Sequence, residues 1–171
     1  MNVPYDSQLR ARPVPGHANP LRTGLIAGLV TGAVGLIPVL ILQKARGVGV
    51  IPEMQLAASS VMGLAAYDGA PGFFIGTALH FLVSVIPAII FALAVARLPF
   101  LNRMPWLAGP AFGFGVFLVM GLIILPHSRF AVPAGVTSMP PLAALLVHLF
   151  LFGLPIALIV HHLSRDEPVG G

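Results

Sequence analysis

"TGLIAGLVTGAVGLIPVLIL", residues Thr23 to Leu42, is a run of twenty residues without a charge. Wound as a helix rising 1.5 Å per residue, it reaches about 30 Å, the thickness of the hydrocarbon core of a bilayer. The run therefore reads as a membrane span, and the rest of the chain has to be read with lipid as its solvent. No convincing cleavage site follows it, so it is expected to remain as an uncleaved first span.

Outside this run the composition agrees. Of the 171 residues, 57% are hydrophobic and 8% charged, where a soluble domain carries about a quarter charged. Similar runs follow at roughly 73–96, 107–125 and 142–163, which makes four spans the simplest reading. Between the first two lies PEMQLAASSVMGLAAY, Pro52 to Tyr67, which starts with a helix-initiating proline but carries Glu53, Gln55, Ser59 and Ser60. Sixteen residues are short for a crossing. The segment reads as an interfacial or re-entrant helix, with Met54, Ala57, Ala58, Val61 and Ala65 on one side.

The expected fold is an all-α membrane protein of four transmembrane helices in two helical hairpins, with that short helix between helices 1 and 2. Its divisions are a polar, proline-rich, disordered N-terminal tail over 1–21, a transmembrane domain over 22–163 and a short C-terminal tail over 164–171. Arg10, Arg12, Arg22, Arg97, Arg103 and Arg165 fall on one side of this topology, and Lys44, Arg46 and Arg129 on the other. The excess predicts a multi-pass protein of the inner membrane with both termini cytoplasmic. A net charge of +4 scattered among apolar runs makes no basic patch, so nucleic acid is set aside as a partner. With no cysteine, disulfides, thiolate metal sites and thiol catalysis are excluded.

Two stretches share an outline: HFLVSVIP, His80 to Pro87, and HLFLFGLP, His148 to Pro155. Seven residues are nearly two turns, so each histidine shares a helix face with its proline. Pro87 and Pro155 withdraw backbone donors from the carbonyls of Val83 and Leu151 and predict kinks. Proline is abundant in this chain and His161 with Pro168 repeats the spacing; the recurrence gains weight from its place in the second helix of each hairpin. Gly24, Gly28 and Gly32, then Gly109 and Gly113, repeat every fourth residue and allow helices to approach closely. Packing within the bundle is one use of such faces. A homo-oligomer, or a place as a subunit of a larger membrane complex, is another.

Histidines within a span invite a functional reading. With their rings facing one another, His80 and His148 could ligate a haem lined by Phe81, Phe150 and Phe152, or a divalent metal together with His127. Alternatively each imidazole donates to a kink carbonyl, to Ser84 or to Thr77, and tightens the bundle. A proton-responsive or small-solute path is a third reading. No cofactor is predicted, with haem or divalent metal as the alternative. Glu53 and Asp68 flank the short helix and could meet the histidines, or be solvated loop charges. His161 and His162 read as an interfacial end to helix 4, and Trp106 and Tyr67 as interface anchors. HExxH, GxSxG and GxxxxGK are absent, and Ser59 and Ser60 lack a sequence-visible base. The expectation is a non-enzymatic protein.

GLIAGLVTGAVG in helix 1, ALHFLVSV in helix 2, LNRMPWLAGPAFGFG leading into helix 3, Pro126 at its end and LVHLFLFG in helix 4 together resemble the YagU-like group of small bacterial inner-membrane proteins. The resemblance covers roughly residues 22–163. It implies location, architecture and an accessory or envelope-homeostasis role, and supplies no catalytic residue.

Overall fold

A computed structural model describes residues 19–47, 49–134 and 139–165. Helix α1 runs over Pro20–Ala45, α2 over Val50–Met62 with a 3₁₀ turn at Gly63–Tyr67, and α3 over Ala70–Arg97. A short α4 (Phe100–Arg103) leads into α5 (Pro105–Val119), which continues through a π turn at Met120–Ile124. The last span is α6 (Pro141–Leu146), a π segment (Val147–Gly153) and α7 (Leu154–Leu163) in unbroken succession. No strand occurs among the described residues. Four helices, Pro20–Ala45, Ala70–Arg97, Pro105–Ile124 and Pro141–Leu163, are long and apolar enough to cross a membrane, and the chain is an all-α membrane protein.

The first helix begins at Pro20, inside the expected tail. The Asn19 side chain accepts from the backbone N–H groups of Leu21 and Arg22 at 3.0 and 3.3 Å, and proline in the first turn has no N–H to leave unpaired. Most of the expected tails, 1–18 and 166–171, lies outside the described residues. The turn from α2 into α3 needs positive φ twice, and glycine stands at both places, Gly63 (φ 62°) and Gly69 (φ 94°).

Each hairpin closes on glycine. A Cβ at Gly28 would lie 2.5 Å from the Cα of Val85, and one at Gly24 would strike the backbone of Ile89. In the second hairpin, a Cβ at Gly109 would lie 2.7 Å from the Cα of Leu154, and one at Gly113 would overlap the His148 carbonyl. Gly153 faces both Gly109 and Gly113 from the other side. The hairpins meet where α1 and α3 lie against α7, around buried Ala27, Ala88, Phe91, Ala92, Val95, Ile156, Ala157 and Val160. Phe112 of α5 joins them through a tilted ring contact with Phe91, centroids 4.9 Å apart. Outward faces are apolar too: Ile41 and Leu122, 66% and 68% exposed, have lipid for a neighbour.

Helix α2 crosses the start of α3. The carbonyls of Met54 and Ala66 sit where side chains of Gly76 and Gly72 would be. Its buried face is partly polar. Met54 and Ala58 are buried, but so are Gln55 and Ser59, while Val61 and Ala65 are exposed. The polar residues turn inward because they find partners there: Gln55 donates to the Gly69 carbonyl at 3.0 Å, and the Ser59 hydroxyl accepts from the Ala131 N–H at 3.2 Å.

Candidate functional site

Two polar regions stand out in this apolar frame. The first lies between α1 and α3. His80 is half-buried, and its Nε2–H donates to the Gly32 carbonyl at 2.9 Å. The missing side chain at Gly32 makes that approach possible, since a Cβ there would lie 3.1 Å from both a Phe81 ring carbon and the Ser84 Oγ. Ser84, itself buried, donates to the His80 carbonyl at 2.8 Å, and Thr77 to that of Phe73 at 2.8 Å. Phe81 packs edge-on to the imidazole at 5.4 Å. The acceptor is thus on the neighbouring helix, and neither the kink carbonyl nor Ser84 nor Thr77 takes this bond.

His148 is placed differently. Its Nδ1–H donates to Ala144, one turn back on its own helix, at 2.7 Å. Phe117 of α5 meets its ring edge-on at 5.6 Å and Phe152 lies at 6.1 Å. Phe150 is half-exposed on the outer surface. His127 is exposed and donates to Ile123 at 2.7 Å. Each of the three histidines therefore commits one nitrogen to a backbone carbonyl. His80 works against α1, and His148 against α5 and its own helix. Among the described residues no group of three His, Asp or Glu side chains is arranged to hold a metal ion.

The second region is the end of the bundle where α2 lies, and much of it escapes sequence reading. Buried Gln43 donates to the Glu53 carboxylate at 2.7 Å and accepts from the Arg46 guanidinium at 2.9 Å. Glu53 is thus engaged with the end of α1. Asp68 is exposed. The chain after α5 clasps α2 through three bonds: Arg129 N–H to the Ser60 carbonyl at 2.9 Å, Ala131 N–H to the Ser59 hydroxyl at 3.2 Å, and the Tyr67 hydroxyl to the Ala131 carbonyl at 3.1 Å. Tyr67, read as an interface anchor, instead fastens one hairpin to the other. Burial pushes its phenol above the usual tyrosine range, the Glu53 charge adds to this, and the Ser59 hydrogen bond opposes it. The only advance signal for Gln43 was an amide one residue past an apolar run. The Ser59–Ala131 bond joins residues 72 apart and leaves no local trace.

At the opposite end His161 donates through Nδ1 to the Asn102 carbonyl at 2.8 Å and receives the Arg165 guanidinium on Nε2 at 3.3 Å. A tautomer with the proton on Nδ1 satisfies both contacts. This ties the end of helix 4, where an interfacial histidine pair was expected, to the turn between α3 and α5.

Between the hairpins runs a cleft of about 180 Å³, with Val34, Gly35 and Pro38 on one wall and Leu151, Pro155 and Ile159 on the other. Thr31 also borders it, and its buried hydroxyl has no hydrogen-bond partner. The walls are otherwise apolar, suited to a methylene chain more than to a hydrated solute.

No known family model, curated protein or solved structure matches the chain.

Proposed function

We propose that this is a non-catalytic, multi-pass protein of the bacterial inner membrane, an accessory or envelope-homeostasis component, in which the intramembrane His80 ties two helices together. The bond from His80 to the Gly32 carbonyl carries this reading. It spends an imidazole proton on a backbone acceptor across a helix pair, a use of a polar group worth about 0.6 kcal/mol in such bundles. Ser84 and Thr77 also donate to backbone carbonyls. The resemblance to YagU-like proteins supports the role, and the arginine excess supports cytoplasmic termini. Membership of a homo-oligomer or a larger complex fits the same reading. An optical spectrum and a metal analysis of protein purified in mild detergent test it. Colourless, metal-free protein is expected. A Soret band or stoichiometric metal that vanishes in the double variant His80→Ala, His148→Ala would replace it with a haem- or metal-binding protein.

A second reading, a small-solute or proton permease working between the hairpins, rests on the unpartnered Thr31 hydroxyl at the edge of that otherwise apolar cleft. Uptake into proteoliposomes that Gly35→Leu blocks would establish it, and its absence would leave the cleft as a lipid-filled seam.

A further inference from the structure

Helix α2 has its polarity inside out. Between residues 50 and 67 the exposed positions are Val50, Ile51, Val61, Leu64 and Ala65, all apolar. The polar residues Glu53, Gln55, Ser59, Ser60 and Tyr67 are buried or half-buried, and each has a hydrogen bond to the protein. A helix lying in the interface keeps a polar face for water. This one keeps none.

The place of α2 along the bundle agrees with that inversion. Met54 touches α3 at Gly76, six residues and so about 9 Å along the helix from its first residue. Phe74 and Ile75 of α3, 68% and 38% exposed, continue the apolar surface on one side. On the other, the clasp to Ser59 and Ser60 begins at Arg129, five residues beyond exposed Leu122, Ile123 and Ile124, with exposed His127 between. The outer face of α2 thus extends the lipid-facing surface of α3.

We infer that α2 is a re-entrant helix whose outer face, centred on Val61 and Leu64, binds the acyl chains of one bilayer leaflet, while its inner face keeps Glu53, Gln55 and Ser59 on protein partners. Polar groups at this depth need such partners, because hydrocarbon offers them none. The inference is independent of the role proposed above.

The absence of native cysteines allows a direct test. Single variants Val61→Cys and Leu64→Cys carry a nitroxide in proteoliposomes, beside Leu29→Cys on the exposed face of α1 and Arg103→Cys at an exposed position of α4 between spans. Collision with oxygen and with a water-soluble nickel chelate is measured at each site. The α2 sites should behave like Leu29→Cys, with oxygen access high and chelate access lost. Chelate access matching that of Arg103→Cys would place α2 in water. Low access to both reagents would mean a protein surface covers it. Either result overturns the inference, and the Leu29→Cys signal certifies that the bundle has inserted.

Discussion

In the first hairpin a histidine seven residues before a proline reaches across to the partner helix, His80 to Gly32. In the second, the histidine with the same spacing stays on its own helix, His148 to Ala144. The backbone around the two histidines differs as well. From His80 to Pro87, α3 remains α-helical, whereas Val147–Gly153 opens into a π segment that ends two residues before Pro155. A π turn widens the helix and redirects the side chains that follow. In this one the His148 carbonyl is pressed against Gly113 and its ring turned toward Phe117. Equal spelling does not give equal geometry when the partner helix offers different backbone.

The glycines give the sharpest way to break this contrast. Gly28→Ala and Gly113→Ala each drive a methyl into backbone, and should cost about 1–3 kcal/mol of stability. Gly32→Ala meets the Phe81 ring and the Ser84 side chain at 3.1–3.2 Å, and no backbone atom that close, so its cost should be below both. Reversible unfolding in mixed micelles measures all three. A cost for Gly32→Ala equal to that for Gly28→Ala would show that the approach along α1 is uniform and that His80 holds no privileged opening.

A smaller effect concerns the clasp that joins the hairpins. Tyr67→Phe removes the bond to Ala131 and should cost about 1 kcal/mol. Because the folded-state pKa of Tyr67 is raised, its contribution is full below the usual tyrosine value near 10 and is lost as pH climbs through the higher folded value. Wild type should therefore lose stability from pH 10 upward more steeply than Tyr67→Phe. Parallel curves would mean that the phenol is not held at the clasp.

Four spans were legible because length and apolarity are local properties, and Thr23–Leu42 lies wholly within α1. The glycine spacing at 24, 28 and 32 was visible, but not what it faces. Gly72 and Gly76 have the same spacing, and their partner, the backbone of α2 and of its 3₁₀ turn, leaves no mark on it. The polar character of the buried face of α2 was not legible for a related reason. Its apolar residues share one side in the sequence, but Gln55 and Ser59 have an acceptor and a donor at Gly69 and Ala131 that no local pattern records. The π segments were invisible as well, since nothing in HLFLFGLP sets it apart from HFLVSVIP before the second hairpin packs.

The most direct measurement compares His80→Ala with His148→Ala by reversible unfolding in the same micelles, each against its glutamine variant. The interhelical tie makes the His80→Ala loss the larger, about 0.6 kcal/mol or more, with partial rescue in His80→Gln, whose amide can still donate to Gly32. His148→Ala should lose its ring contacts with Phe117 and Phe152, and His148→Gln should not restore them. Equal losses with equal rescue, or no loss at His80, would contradict the claim that only the first histidine joins two helices.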